Sequence, residues 1–202
     1  VADGPVIQAA AQRALVAGVR VSDCLDLIAA FRERHPDVPV GILTYANIVV
    51  ARTGFMRDAA AAGADSLLIA DVPALEAERF TRGMQQAGIG SVLIAAANMP
   101  DATLERVAKL SNAYTYCVSR VGITGTHAGG EFDAGLIQRV EAAGAPPAVF
   151  GFGISTPEHV RAALAAGAKG VICGSAIVDL VSRRGDVAGF VQSLKAVTRN
   201  DS

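Results

Sequence analysis

The chain repeats one unit, in which a segment with helical periodicity is followed by a Gly- or Pro-containing turn and then by a short apolar run. The apolar runs cover residues 40–44, 66–70, 91–96, 113–119, 148–153 and 171–173. The segments between them place apolar residues three or four positions apart, which predicts amphipathic helices over 21–35, 54–62, 74–87, 101–110, 133–143, 156–166 and 186–198. Short apolar strands that alternate with helices are typical of a parallel sheet buried on both faces.

Two architectures share this alternation, an open doubly wound sheet and a closed (β/α)8 barrel. No Gly-x-Gly-x-x-Gly run follows a first strand, which weakens the dinucleotide-binding form of the open sheet. Polar or glycine residues instead follow several different strands, namely Tyr45, Asp71, Gly125, Gly153 and Gly174. This distribution favours the barrel, whose site is assembled from the loops at the carboxyl ends of many strands.

The length of the chain bears on how much of a barrel it supplies. A (β/α)8, or TIM, barrel has eight strands and typically about 250 residues. The 202 residues begin at Val1 rather than at Met and contain six predicted strands. We therefore expect a single α/β barrel domain of the phosphate-binding type over residues 1–202, with the first two strands and about 50 residues missing upstream.

Composition and charge narrow the classes of function. The 18 Lys and Arg residues are balanced by 19 Asp and Glu residues, so the chain lacks the basic surplus that nucleic acids and anionic membranes attract. Three cysteines, Cys24, Cys117 and Cys173, lie in apolar segments without the spacing of metal ligands. Reduced, buried thiols in a cytoplasmic protein without a metal site are the interpretation that fits this pattern.

Glycine clusters at strand ends predict a phosphate site. The segment 151–155 contains Gly153 and precedes a helix, while Gly174 and Ser175 follow the last strand. Thr124 and Gly125 follow an earlier strand and form a third cluster. Glycine lets backbone N–H groups approach an anion, and a helix N-terminus adds partial positive charge. Each glycine could simply turn the chain, but clusters at successive strand ends favour phosphate binding.

Seven segments, taken in order, are similar to one enzyme family. Residues 2–8 read ADGPVIQ and residues 119–125 read SRVGITG; the others are LTYAN at 43–47, IADVP at 69–73, YTY at 114–116, GFGIS at 151–155 and GSAIV at 174–178. Over nearly its whole length the chain resembles the α subunits of tryptophan synthase, which are indole-3-glycerol phosphate lyases. ADGPVIQ and SRVGITG are the specific part, because many phosphate-binding barrels share the last two glycine clusters.

The resemblance implies a retro-aldol cleavage that yields indole and glyceraldehyde 3-phosphate in tryptophan biosynthesis, with no metal or organic cofactor. It implies that Asp3 accepts a hydrogen bond from the indole N–H and stabilises charge on the ring, and that Tyr116 supports this carboxylate. It assigns the indole pocket to Ile7, Tyr45, Leu68 and Ala70, and phosphate binding to Thr124, Gly125, Gly153, Gly174 and Ser175. Judged from the residues alone, Asp3 is instead the N-cap of a helix that begins near Pro5.

The resemblance also implies parts that residues 1–202 do not supply. The family's general acid–base is a glutamate at the end of the second barrel strand, which would precede Val1, and Glu131 is interpreted as a solvated loop residue. We therefore expect the 202 residues alone to be inactive. The implied partner is a pyridoxal-phosphate-dependent β subunit in an α2β2 heterotetramer that receives the indole. Two alternatives stay open: a non-catalytic α-type partner that binds a phosphate ligand and modulates the β subunit, and another phosphosugar barrel such as an isomerase.

Overall fold

The computed structural model describes residues 3–118 and 132–198. Within these residues, short strands alternate with helices along the chain. In order, the elements are α1 (Pro5–Val16), α2 (Val21–Arg34), β1 (Gly41–Thr44), α3 (Ala46–Ala51), α4 (Phe55–Ala61), β2 (Ser66–Ile69), α5 (Glu78–Ala87), β3 (Gly90–Ala96), α6 (Asp101–Leu110), β4 (Thr115–Val118), α7 (Ala134–Ala142), β5 (Ala148–Phe150), α8 (Pro157–Ala165), β6 (Gly170–Val171), α9 (Ser175–Ser182) and α10 (Val187–Ala196).

The six strands form one parallel sheet in the order in which they occur along the chain. A helix follows each strand, as in a (β/α)8 barrel, and the described residues contribute six of the eight strands of that fold. The predicted parallel α/β architecture is therefore confirmed. Strands β1 and β6 are the edges of this sheet, and Leu43 on β1 is 52% exposed.

The two faces of the sheet bury different groups of side chains. On β2, Leu67 and Ile69 pack with residues of the surrounding helices, whereas Leu68 faces the opposite side. That opposite side carries a separate group of buried residues, which we call the inner cluster: Leu68, Val92, Ala96, Tyr116 and Val118. The alternation follows from the two-residue period of a strand, and it creates an apolar surface on the face away from the helices.

The predicted helices are present, and their ends lie within two residues of the predicted ones, except that α5 begins at Glu78 instead of at residue 74. Helix α3 is not predicted from the sequence, because six residues are too few to show a helical period. Near the start of the helix predicted over 21–35, Ser22 and Asp23 are the residue types that favour an N-cap, but the N-cap of α2 is Arg20. Asp23 lies at the third helical position, and its carboxylate accepts the backbone N–H of Arg20 at 2.8 Å, as the N3 residue of a capping box does. Among the described residues, no helix is both long and apolar enough to cross a lipid bilayer.

Candidate active site

Parallel pairing brings the carboxyl ends of the six strands to one edge of the sheet. Tyr45 follows β1, Ala70 follows β2, Gly151 follows β5, and Gly174 lies three residues after β6. The Ala70 N–H donates to the Thr44 carbonyl at 2.9 Å, which continues the pairing of β1 and β2 up to this edge. A site at this edge can therefore combine groups that are far apart in the sequence, as barrel active sites do.

Asp3 and Tyr45 form the polar part of the site. The Tyr45 hydroxyl lies beside the Asp3 side chain. Burial, then hydrogen bonding to the Asp3 side chain, then the negative charges of Asp3 and Asp71 raise the pKa of Tyr45 to about 12. Tyr45 therefore keeps its proton at neutral pH and remains a hydrogen-bond donor. Asp71 Oδ1 in turn accepts the Ala46 N–H at 2.8 Å, which fixes the backbone directly after Tyr45.

The start of α1 decides between the two interpretations of Asp3. The N-cap of α1 is Gly4, and Pro5 is the first helical residue. The interpretation of Asp3 as the N-cap is therefore wrong. Gln8 Nε2 donates to the Asp3 backbone carbonyl at 2.7 Å, which ties the residue to the first turns of the helix. The Asp3 side chain thus lies beside Tyr45 and does not cap the helix.

Two of the four residues predicted for the indole pocket are found at the inner cluster: Leu68 belongs to it, and Ala70 packs against it. Tyr116, predicted to support the Asp3 carboxylate, also belongs to this cluster. The Tyr116 ring meets the Phe152 ring edge-on with 6.3 Å between centroids, and its hydroxyl donates to the Gly151 carbonyl at 3.0 Å. Burial raises the pKa of Tyr116 above its ordinary value, so this hydroxyl also keeps its proton. Tyr116 is placed as an apolar wall with its hydroxyl bonded to the β5 loop.

Of the predicted phosphate residues, Gly153, Gly174 and Ser175 are described, and they lie on the loops that follow β5 and β6. Gly153 has a φ of +77°, a conformation that favours glycine, and Gly174 is the N-cap of α9, with Ser175 as its first residue. The Cys173 thiol donates to the Ile154 carbonyl at 3.0 Å and so joins the loop after β5 to the loop after β6. Burial raises the pKa of this thiol, which keeps it protonated as the donor. The first N–H groups of a helix lack intrahelical partners and attract anions.

Helix α1 connects the two halves of the site, since it packs against α9. Ile7, predicted to line the pocket, is half-buried on α1.

Three residues considered in the sequence lie outside the described residues: Thr124, Gly125 and Glu131. Asp71 is among the polar residues that follow the predicted strands, but its contact with the backbone after Tyr45 is not predicted from the sequence. In the described ranges, no group of three or more His, Cys, Asp or Glu side chains is placed to hold a metal ion.

The order of these elements and the motifs at their ends match one family over almost the entire chain. The family model described as tryptophan synthase alpha chain matches residues 1–200. The chain belongs to this family. Its predicted membership is thereby confirmed, and the predicted role as an indole-3-glycerol phosphate lyase of tryptophan biosynthesis agrees with it.

Relatives and solved structures agree on the tryptophan synthase alpha family. The alpha chains of Vibrio vulnificus (strain YJ016) and Edwardsiella ictaluri (strain 93-146) are 41% and 43% identical to this chain, over 98% of this chain and 78% of each relative. A tryptophan synthase complex from Pyrococcus furiosus has a TM-score of 0.84 and 30% identity, over 97% of this chain and 81% of that chain. Another structure of the Pyrococcus furiosus enzyme is described as an α2β2 complex, with a TM-score of 0.83 and 30% identity over the same shares.

Proposed function

We propose that the chain performs the carbon–carbon lyase reaction of tryptophan synthase, the cleavage of indole-3-glycerol phosphate to indole and glyceraldehyde 3-phosphate. The observation that carries the proposal is the position of Asp3 beside Tyr45, at the same edge of the sheet as the glycine loops. The reaction needs an anion for the ring nitrogen, an apolar pocket for the ring and donors for the phosphate. Family membership supports each of these assignments.

The chemistry requires charge stabilisation at the indole nitrogen. A proton is added to ring carbon C3, and positive charge then develops on the nitrogen. The bond from C3 to the glycerol carbon breaks, its electron pair returns to the ring, and the adjacent hydroxyl loses its proton as a carbonyl forms. The Asp3 carboxylate accepts the indole N–H and stabilises the transient charge. Tyr45, held in its protonated form, orients this carboxylate through its own hydrogen bond.

The rest of the substrate fits the remaining parts of the edge. The indole ring lies against the apolar surface that Leu68, Ala70 and Tyr116 provide, with Ile7 and Tyr45 beside it. The phosphate is bound by backbone N–H groups at Gly153 and Gly174 and by Ser175, where the N-terminus of α9 favours an anion. Thr124 and Gly125 complete the phosphate site in this proposal. Nothing in the cleavage as written needs a metal or an organic cofactor.

The proposal includes a second proton-handling group and a partner. In this proposal the Asp3 carboxylate accepts the hydrogen bond from the indole N–H. Another residue must therefore protonate C3 and accept the proton of the hydroxyl group. The family resemblance assigns this role to a glutamate outside residues 1–202, and we expect these residues alone to release little indole. A pyridoxal-phosphate-dependent β subunit in an α2β2 assembly receives the indole. The complex described for Pyrococcus furiosus supports this partner, and the cytoplasmic location belongs to the same proposal.

The test is indole release from indole-3-glycerol phosphate by the full-length protein with its β subunit. We expect Asp3→Asn to lower kcat by about 10²–10³-fold, the usual effect of losing one charge-stabilising group, while binding of inorganic phosphate is unchanged. Asp26→Asn, which alters an exposed carboxylate on α2, is the matched control and should act like wild type. Absence of indole release by the wild-type complex would overturn the proposal and favour a non-catalytic α-type partner.

A further inference from the structure

Arg106 on α6 reaches back to the loop that follows β2. Its Nε donates to the Ala74 carbonyl at 2.9 Å, and its Nη2 lies 3.4 Å from the Leu75 carbonyl. The same nitrogen pairs with the carboxylate of Glu78, the first residue of α5, at 3.2 Å. One guanidinium therefore contacts two carbonyls of the loop and the helix that the loop leads into. Its planar set of donors suits such a combination of acceptors.

The other end of this loop leads directly to the candidate site. Asp71, three residues before Ala74, accepts the Ala46 N–H at 2.8 Å. Ala46 follows Tyr45, whose side chain lies beside Asp3. The contacts thus form a continuous path from Arg106, through the loop over 71–77, to the carboxylate of Asp3. A displacement of this loop would move the acceptor that fixes the backbone beside Tyr45.

The next unit of the sheet repeats the arrangement. Arg139 on α7 donates to the Ala97 carbonyl at 3.0 Å and also to the Met99 carbonyl, both in the loop after β3. It pairs with Asp101, the first residue of α6, at 2.7 Å. Met99 packs against the inner cluster. Two successive loops at the carboxyl edge are therefore held in the same way, which an isolated surface ion pair does not explain.

We propose that Arg106 is a positioning residue, which holds the loop over 71–77 so that Asp71, Tyr45 and Asp3 keep their reactive arrangement. The inference rests on the proposed lyase function for its kinetic consequence. Partly exposed ion pairs contribute little to stability, so the role of Arg106 lies in geometry and not in holding the fold together. Small displacements of a catalytic group are enough to cost about 10²-fold in rate.

The test compares two arginines that share one carboxylate. Arg82 pairs with Glu78 at 3.0 Å, and in the described part of the chain its hydrogen bond goes to that side chain alone. Arg82→Gln therefore removes one ion pair of Glu78 and leaves the contacts to the loop intact. Arg106→Gln removes the other ion pair of Glu78 together with the hydrogen bonds to the loop carbonyls. We expect Arg106→Gln to lower kcat for indole release by about 10–100-fold with a smaller change in KM, and Arg82→Gln to act like wild type. Arg106→Lys, which keeps the charge, should give an intermediate kcat.

A second readout does not depend on catalysis. The Ala46 N–H is bonded to Asp71, so its hydrogen exchange reports whether the loop is held. We expect faster exchange at Ala46 in Arg106→Gln and unchanged exchange in Arg82→Gln. Wild-type exchange at Ala46 in Arg106→Gln, or equal effects of the two variants, would overturn the inference. If the wild-type complex releases no indole, the proposed function fails, and exchange at Ala46 still decides whether Arg106 holds the loop.

Discussion

A methyl group added at Gly151 would collide with the ring of Tyr116. An ideal Cβ at Gly151 lies 1.9 Å from Tyr116 Cζ, 2.0 Å from Oη and 2.3 Å from Cε2. Carbon atoms in contact ordinarily lie about 3.5–4.0 Å apart. Unlike Gly153, Gly151 does not have a positive φ, so alanine is compatible with its backbone. The effect of Gly151→Ala is therefore steric, and it depends on a single neighbouring side chain.

The size of the effect follows from how firmly Tyr116 is held. The residue is only 5% exposed, its ring packs on Phe152, and its hydroxyl donates to the Gly151 carbonyl. Overpacking of a buried site costs about 1–3 kcal/mol, and a ring that moves away also loses a hydrogen bond worth about 1 kcal/mol. We expect Gly151→Ala to lower the free energy of unfolding by about 3 kcal/mol, with a fall in Tm of about 6–12 °C.

A double-mutant cycle isolates this contact. Tyr116→Leu removes all three of the colliding atoms, so in that background Gly151→Ala should cost less than about 1 kcal/mol. Urea denaturation followed by far-UV circular dichroism gives the four unfolding free energies. Gly170→Ala is the matched control, since its Cβ would meet Val149 at an ordinary 3.8 Å. The reasoning is refuted if Gly151→Ala costs as much with Leu at position 116 as with Tyr, or no more than Gly170→Ala.

Two further predictions concern Tyr45 and a helix cap. The pKa of Tyr45 is raised to about 12 in the folded protein, chiefly by burial, so its contribution to stability is complete below about pH 10 and is lost as the pH rises through about 12. The unfolding free energy of wild type should therefore fall more steeply over that interval than that of Tyr45→Phe, and equal slopes would contradict the prediction. Asp133 caps α7 by accepting the Leu136 N–H at 3.1 Å, so Asp133→Ala should cost about 0.5–2 kcal/mol in urea denaturation, with Asp133→Asn close to wild type.

Local patterns in the sequence predict the sheet, because buried strands have continuous apolar runs. All six strands lie where the apolar runs are, but the runs at 148–153 and 171–173 extend beyond β5 and β6. The residues after Phe150 continue the apolar pattern, although Gly153 with its positive φ turns the chain there. Apolar character therefore marks the existence of these strands better than it marks their carboxyl ends.

Contacts that hold the loops depend on the tertiary structure and leave no local signal. Arg106 and Ala74 are 32 positions apart, and Arg139 and Met99 are 40 positions apart. On a helix, an arginine that binds a distant carbonyl looks the same in sequence as one that faces solvent. The positions of Asp3 and the glycine clusters were predicted through motifs, whereas the side chains that keep them in place required the structure.

The two tyrosines of the candidate site have the same side chain, but their hydroxyl groups have different neighbours in the structure. The Tyr116 hydroxyl donates to the Gly151 carbonyl, whereas the Tyr45 hydroxyl lies beside the Asp3 side chain. The tyrosine beside the candidate catalytic carboxylate is thus the one that follows β1, and not Tyr116 on β4. Asp3 directly precedes the N-cap of α1, and α1 packs against α9, whose N-terminus belongs to the candidate phosphate site. A substitution that shifts α1 should therefore affect ring binding and phosphate binding together.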